Sequence, residues 1–118
     1  MAEKEAGTRI NSTEFGSVTI NRKKYDHDVW IFPDGTIEER DKDHEFTAEE
    51  MEYLATEHPD TILVGTGQNG VVKISEGAVR IAEQRGIELV AGTTPDIIHL
   101  YNEISQDRKV VAAIHVTC

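Results

Sequence analysis

Alternating strand and helix patterns in the second half of the sequence constrain the fold more than any other feature. Residues 61–64 form a short run of β-branched and apolar side chains, residues 75–85 show a helical pattern, and residues 87–90 form a second apolar run. Residues 94–96 are typical of a helix start, and residues 109–116 are apolar almost throughout. This β-α-β-α-β order predicts a largely parallel sheet with right-handed crossovers and a central last strand.

The first half of the sequence predicts an antiparallel unit. Residues 15–20 and 25–32 are typical of the two strands of a hairpin, joined by a polar turn at residues 21–23. A turn at residues 33–35 precedes a short third strand at residues 36–40. The chain is therefore predicted to be an α/β protein with a mixed, mostly parallel sheet and a small N-terminal antiparallel β unit.

Helix ends are marked by capping residues. Thr47 followed by Glu50 forms a capping box. Ser75 and Thr94 stand at the starts of two further helical patterns, and Gly86 is suited to the left-handed position after a helix. These residues predict three helices, the first of which is followed by the strand at residues 61–64.

Length and charge limit the classes of function. The 118 residues are enough for one domain, which we place at residues 14–118, after a polar, mobile tail at residues 1–13. The net charge is −10, and residues 38–60 hold ten acids against Arg40 and Lys42, which gives −8 of that total. Such a stretch repels nucleic acids and anionic lipids, so we expect neither nucleic-acid nor membrane binding. The acids form either a solvated helix face or a docking surface for a basic partner.

The compartment is predicted from the cysteine and the N-terminal residues. Cys118 is the single cysteine, which excludes an internal disulfide and fits a reducing environment. The first eight residues, M-A-E-K-E-A-G-T, contain no apolar run of the kind found in secretory signals. No apolar run is long enough to span a bilayer. We therefore expect a cytoplasmic protein.

A glycine-spaced loop is the segment that most suggests a ligand. The stretch T-I-L-V-G-T-G-Q-N-G has the G-x-G-x-x-G spacing of a dinucleotide-binding turn. In that turn a helix begins inside the motif and binds the phosphate, whereas here the next N-cap is Ser75. Three interpretations stay open: a turn that needs glycine, a site for a small anion or polar molecule, and a dinucleotide site. The candidate ligand-binding residues are Gly65, Thr66, Gly67, Gln68, Asn69, Gly70 and His115.

The histidines and acids predict neither a metal site nor catalytic residues. Asp26 and Asp28 of an Asp-His-Asp tripeptide would share one face of a strand while His27 takes the other, so surface hydrogen bonding is the favoured role. A strand likewise separates His115 from Cys118. His115 is expected either to be a structural histidine or to face the glycine loop across neighbouring strand ends. No cofactor is predicted.

Several segments resemble one protein family. They are F-G-S-V-T-I-N from Phe15, D-H-D-V-W-I-F-P-D-G up to Gly35, V-G-T-G from Val64, and the ending V-A-A-I-H-V-T-C. This order resembles the domain-of-unknown-function family 498, the family of the adipogenesis-associated protein and mitochondrial complex I assembly factor 3. The resemblance implies a three-layer fold with a central mixed sheet. It implies no catalytic residue or cofactor, and it favours binding over catalysis.

Two functions follow as hypotheses. The first is a non-enzymatic binding or assembly module, which predicts an exposed apolar or aromatic patch near Trp30 or Tyr53. The second is a small-ligand domain for an anion or nucleotide, and even an enzyme, that uses the loop at residues 65–70. A protein partner is expected under the first hypothesis, and a free sheet edge would also allow homo-oligomers.

Overall fold

The computed structural model describes residues 8–41 and 43–117 and arranges them in three layers. Ten strands and three helices follow one another along these residues: β1 (Ile10–Glu14), β2 (Ser17–Ile20), β3 (Lys23–Tyr25), β4 (Val29–Ile31), β5 (Ile37–Glu39), β6 (Glu45–Phe46), α1 (Ala48–Ala55), β7 (Thr61–Gly65), β8 (Lys73–Ile74), α2 (Glu76–Arg85), β9 (Glu88–Gly92), α3 (Thr94–Ile104) and β10 (Val110–Ile114). Residues 1–7, Lys42 and Cys118 lie outside the described part of the chain.

The middle layer is a five-stranded mixed sheet with β10 at its centre. Its order is β5-β4-β10-β7-β9, with β10 parallel to β7 and antiparallel to β4. Ala112 of β10 lies opposite Leu63 on one side and Ile31 on the other. All five residues of β10 are buried, as expected for a strand covered on both faces. The prediction of a central last strand is confirmed.

Helices cover one face of this sheet, and a helix with a second sheet covers the other. Helices α1 and α2 pack on the first face through buried side chains that include Met51, Leu54, Ala78 and Ala82, and Phe46 of β6 belongs to the same cluster. Helix α3 and the antiparallel sheet β1-β2-β3 pack on the second face. This three-layer α/β arrangement confirms the predicted fold class. Among the described residues, no helix combines the length and the apolar character needed to cross a membrane.

The predicted helix caps at Thr47, Ser75 and Gly86 form, whereas the one at Thr94 does not. The hydroxyl oxygen of Thr47 accepts from the backbone N–H of Glu50 at 3.1 Å, and that of Ser75 accepts from Ala78 at 3.1 Å. Gly86 ends α2 in the left-handed conformation with φ 67°. In α3 the N-cap is Thr93 instead of Thr94, because Thr94 already belongs to the first turn of the helix.

The predicted strand at residues 25–32 is wrong as a single element. Residues 23–25 belong to β3, which pairs with β2 in the small sheet, and residues 29–31 belong to β4 in the central sheet. The turn between β2 and β3 is made by Asn21 and Arg22, both with positive φ. The chain changes sheets at residues 26–28 because the carboxylate of Asp28 is buried there and bonded to groups outside β3.

Residues 10–13 of the predicted mobile tail, residues 1–13, belong to strand β1, while its residues 1–7 lie outside the described part of the chain. β1 pairs antiparallel with β2, and Ile10 is buried in the core. The side-chain amide of Asn102 on α3 bonds both backbone groups of Ile10, at 2.9 and 2.8 Å. The segment I-N-S-T-E has only one apolar residue, so its sequence shows no alternating pattern that would predict a strand. Its contact with Asn102, 92 residues from Ile10, cannot be predicted from a local pattern.

Candidate functional site

The glycine loop runs from Gly65, the last residue of β7, to Gly70, and its backbone is bonded within the protein. Four of its N–H groups donate: Thr66 to the Gly92 carbonyl at 2.8 Å, Gly67 to the Thr94 hydroxyl at 2.9 Å, Gln68 to the Thr117 carbonyl at 3.3 Å and Gly70 to the Gly67 carbonyl at 3.3 Å. A phosphate-binding loop leaves such donors pointing at the ligand. Here three of them hold the loop against β9, α3 and the segment after β10, and the fourth bonds within the loop.

The helix that begins beside the glycine loop is α3. The backbone N–H of Thr94 donates to the Gly67 carbonyl at 3.0 Å, whereas α2 begins at Glu76, beyond β8. A Cβ on Gly65 would lie 2.9 Å from the Thr94 hydroxyl, so a glycine is needed for this close approach of α3. Gly67 has φ 108°, which also favours glycine. The spacing of the glycines therefore has a structural cause in the contact with α3.

His115 is brought to the loop by its backbone, while its ring contacts other groups. Its N–H donates to the Gly65 carbonyl at 3.0 Å, and its carbonyl accepts from the Thr94 hydroxyl at 2.7 Å. The ring Nδ1 lies 2.7 Å from Asp28 Oδ2, and Nε2 lies 3.2 Å from the Thr117 hydroxyl. The order carboxylate, imidazole, hydroxyl is that of serine hydrolases. However, His115 is only 1% exposed, which leaves the ring no access to a substrate.

Asp28 is the centre of a buried charge cluster, formed by Asp28, Arg40, Glu50 and His115. Asp28 Oδ2 accepts from Arg40 Nη1 at 2.8 Å as well as from His115, and Oδ1 accepts from the N–H of Val116 at 3.0 Å. These contacts join the segment before β4 to the end of β10. Because both oxygens of this carboxylate have donors within hydrogen-bond distance, its burial is compensated.

Arg40 connects the cluster to helix α1. Its Nε donates to Glu50 Oε2 at 2.6 Å and its Nη2 donates to Glu50 Oε1 at 3.1 Å, a bidentate geometry. Burial alone would lower the pKa of Arg40, but the hydrogen bond and charge of Glu50, together with Asp28, raise it above its ordinary value. Sequence reasoning placed Asp28 in a surface role and missed this cluster. The available signal was Arg40 itself, one of two cations within a stretch of ten acids.

The Asp-His-Asp tripeptide does not gather ligands for a metal. Asp26 is exposed, Asp28 is buried, and His27 Nδ1 lies 2.9 Å from the backbone carbonyl of Asp28. In residues 8–41 and 43–117, no three side chains of His, Cys, Asp or Glu are arranged to hold a metal ion.

The acidic–aromatic surface is a second candidate, formed by Trp30, Phe32, Tyr53, Glu38 and the exposed acids Glu49 and Glu57 of α1 and the turn after it. The Tyr53 ring lies 5.0 Å from that of Trp30 and 6.2 Å from that of Phe32. Tyr53 is 44% exposed, whereas Phe32 is buried beneath it. Tyr53 is thus a partly exposed aromatic residue among carboxylates. Tyr53 and the neighbouring Trp30 are the two residues near which the binding hypothesis predicts an exposed patch.

Hydrogen bonds hold the aromatic rings of this surface in place. The Tyr53 hydroxyl donates to Glu38 Oε1 at 2.7 Å, and Trp30 Nε1 donates to Glu50 Oε2 at 2.7 Å. The hydrogen bond to Glu38, desolvation and the charges of Glu38 and Glu57 raise the pKa of Tyr53 above 10.0. Through Glu50, the surface is bonded directly to the buried charge cluster.

A shallow groove of about 350 Å³ lies between β1 and α3. Its lining is largely polar and includes Arg9, Asn11, Ser12, His99 and Asn102. None of the seven predicted ligand-binding residues lines it. The groove therefore adds nothing to the predicted site at the glycine loop.

Together, the sheet order, the helix layer and the small antiparallel sheet define a three-layer α/β domain. A Bordetella pertussis protein described as an Mth938-like domain shares this fold, at 16% identity and a TM-score of 0.70 over 92% of this chain and 85% of that chain. A family model described as a protein of unknown function, DUF498/DUF598, matches residues 10–115. The chain belongs to this family, which confirms the resemblance found in the sequence. A search of curated proteins returns no match.

Solved structures agree with this assignment. A conserved hypothetical protein from Pyrococcus horikoshii is 33% identical, with a TM-score of 0.85 over 93% of this chain and 99% of that chain. A protein named MT938 is 30% identical, with a TM-score of 0.80 over 94% of this chain and 99% of that chain. A protein from Bordetella parapertussis, at 21% identity and a TM-score of 0.73 over 93% and 96% of the two chains, shares the fold.

Proposed function

We propose that this protein is a non-enzymatic binding module that docks a basic segment of another protein on the acidic–aromatic surface. The observation that carries the proposal is Tyr53, a 44% exposed ring supported by Trp30 and surrounded by carboxylates. Tyrosine and tryptophan are enriched among the residues that dominate binding energy at protein interfaces. The surrounding acids favour a partner rich in lysine and arginine.

The surface is organised before any partner binds. The Tyr53 ring packs on Trp30 and its hydroxyl is bonded to Glu38, so little rotational freedom is left for a partner to remove. A lysine or arginine of the partner could stack on the exposed face of Tyr53 while the nearby carboxylates accept its N–H groups. Because Glu50 bonds both Trp30 and Arg40, the rigidity of the buried charge cluster supports the surface.

The glycine loop supports a second proposal less well. Binding of a small anion or nucleotide by Gly65–Gly70 and His115 would need free donors, and the N–H groups of residues 66, 67, 68 and 70 already have acceptors in the protein. The ring of His115 is bonded to Asp28 and Thr117. Anion binding at this loop would therefore require rearrangement of the contacts with α3.

Site-specific photocrosslinking in the native cell tests the binding proposal. A benzophenone amino acid is placed at Thr56, which is exposed and one helical turn from Tyr53, and the matched control is placed at exposed Gln84 on α2. We expect a defined basic protein to crosslink at position 56 and not at position 84. Tyr53→Ala should reduce that product at least about tenfold, the size expected for a central aromatic contact.

A charge-reversal pair gives the control for non-specific attraction. Glu49→Lys with Glu57→Lys changes the net charge from −10 to −6, since two acids become two bases, and Glu83→Lys with Glu103→Lys makes the same change elsewhere. The first pair should abolish the crosslink and the second should leave it. Equal losses with both pairs, or no defined product at position 56, would contradict the proposal.

A further inference from the structure

Two edges of the sheets are protected by charge. β5, at one edge of the central sheet, has three residues, and two of them are the carboxylates Glu38 and Glu39. β3, at one edge of the small sheet, also has three residues and exposes Lys23 and Lys24. Short edge strands with charged side chains are the usual means by which proteins prevent pairing with another chain.

A third edge is protected by a side chain that takes the place of a strand. The amide of Asn102 donates to the Ile10 carbonyl and accepts from the Ile10 N–H, so the outer backbone groups of β1 are occupied at that residue. Arg9 adds a charge next to it. Three of the four edges of these two sheets therefore carry features that hinder pairing with a strand of another chain.

β9, the fourth edge, carries little protection. It has five residues and borders only β7, and its sole charged side chain is Glu88 at its first position. It contains no proline or lysine. Ala91 is exposed, and Leu89 and Val90 are half-buried on opposite faces of the sheet. Such a strand is a ready template for another strand.

The backbone of β9 shows which groups are available. The N–H of Glu88 donates to Asp60 at 3.1 Å, and the carbonyl of Gly92 accepts from Thr66 at 2.8 Å, so both residues bond towards β7. Because the backbone N–H and carbonyl groups of successive residues in a strand point to opposite sides, those of Val90 also point towards β7. The N–H and carbonyl groups of Leu89 and Ala91 consequently point out of the sheet.

Helix α2 adds an apolar side chain near this edge. A Cβ on Gly77 would lie 3.0 Å from Ala48, so that side of α2 faces α1. Val79 is two positions further on, about 200° around the helix, and therefore lies on the flank away from α1. It is 41% exposed, and α2 packs against β9.

We infer that β9 pairs antiparallel with β9 of a second copy, with Val90 on the twofold axis, which joins the two central sheets into one. Leu89 then lies opposite Ala91 of the second copy, and both pairs exchange N–H to carbonyl hydrogen bonds. The partner strand must be apolar on both faces and uncharged through its middle, and β9 itself meets that requirement. This interface is separate from the acidic–aromatic surface and does not depend on the proposed function.

The charge on the edge strand itself is compatible with this pairing. In the inferred register Glu88 lies opposite Gly92 of the second copy, so the two Glu88 residues are about 14 Å apart along the pair. That separation exceeds the screening length of about 8 Å at physiological salt. Each Glu88 is in addition paired with its own Arg108 at 2.8 Å. A second copy therefore brings no close repulsion to the edge.

Sedimentation velocity and hydrogen exchange on the full chain test the inference. Between about 10 µM and about 1 mM, the mass should rise from 13.2 kDa towards twice that value. Over the same range the amides of Leu89 and Ala91 should gain protection, while that of Val90, bonded to β7, should be protected throughout. A mass that stays at 13.2 kDa up to about 1 mM would overturn the inference.

Two variants locate the interface. Ala91→Pro removes an outward N–H, which an edge strand tolerates, and should weaken dimerisation about 30-fold because one bond is lost in each copy. Ala91→Lys should weaken it as well by placing a charge at the edge. Val71→Lys, at a similarly exposed apolar residue outside β9, is the control and should leave the dimer intact. A dimer unaffected by both Ala91 variants would contradict the assignment to β9, and Ala91→Lys decides the question if Ala91→Pro does not fold.

Discussion

The glycine loop and the acidic–aromatic surface use their polar groups in opposite ways. In the loop, backbone donors are bonded to β9, α3 and Thr117, and the nearby His115 ring is buried against Asp28. On the surface, hydrogen bonds to Glu38 and Glu50 orient two aromatic rings, and Tyr53 stays partly exposed. Polar groups in the first region hold the fold together, while in the second they present a side chain to solvent.

The difference shows why a recognisable spacing is weak evidence of a ligand. Glycine is required wherever a helix comes close to a strand end, whether or not a phosphate lies between them. At Gly65 the close neighbour is Thr94, a residue of the protein itself. On the acidic–aromatic surface, by contrast, the Tyr53 ring covers Phe32 on one side and is 44% exposed, among carboxylates, on the other.

Asp28→Ala should have the largest effect in the buried region. It leaves Arg40 and His115 without their shared carboxylate acceptor in a site from which water is excluded, and the free energy of unfolding should fall by about 3–5 kcal/mol. Urea denaturation measures the change. Asp26→Ala, at the exposed acid two residues earlier, should change stability by no more than about 0.5 kcal/mol. Similar losses in both variants would mean that the cluster does not stabilise the fold.

Thr94→Val should have a smaller effect on the same region. The hydroxyl of Thr94 accepts from the Gly67 N–H and donates to the His115 carbonyl, so valine leaves a buried donor without an acceptor. We expect a loss of about 1–3 kcal/mol in the free energy of unfolding. Thr93→Val is the matched control, since the Thr93 hydroxyl makes no capping bond, and it should cost no more than about 0.5 kcal/mol. A Thr94→Val protein as stable as the control would refute this account of the loop.

The titration of Tyr53 tests the exposed region. Its raised pKa should be seen by ¹³C NMR of the tyrosine rings, and Glu38→Gln should lower it, because the acceptor loses its negative charge. Since the folded pKa lies above the unfolded one, the stabilisation from this contact is complete below about pH 10 and is lost as the pH rises through the folded value. Glu57→Gln should lower the pKa less, because the charge of Glu57 raises it less than the hydrogen bond and charge of Glu38 do. A Tyr53 that titrates identically in all three proteins would show that the bond to Glu38 is absent in solution.

The smallest effect is expected from anions at the glycine loop. Titration of ¹⁵N-labelled protein with phosphate or a dinucleotide should give no saturable shifts at residues 65–70, because the N–H groups of residues 66, 67, 68 and 70 already donate within the protein. Saturable shifts there, removed by Asn69→Asp at the exposed tip of the loop, would reverse the comparison and favour the ligand hypothesis.

Local patterns predicted those parts of the fold that depend on local physics. The caps at Thr47 and Ser75 and the apolar strand at residues 110–114 follow from short stretches of sequence. The split of residues 23–31 between two sheets does not, because its cause is Asp28, whose carboxylate bonds Val116, 88 residues further along the chain. The hydrogen-bond partners of the glycine loop could not be predicted for the same reason, since the Gly67 N–H donates to Thr94, which is 27 residues further along the chain.

The central position of β10 has a consequence for synthesis on the ribosome. β10 is the last strand along the chain, yet it separates β4 from β7, which are made earlier and lie on either side of it. Neither neighbour can complete its pairing until β10 has emerged, so the nascent chain exposes two apolar strands with unpaired edges. Completion of the central sheet therefore waits for β10, and until then the acidic residues of the chain oppose aggregation of the exposed strands by keeping the net charge far from zero.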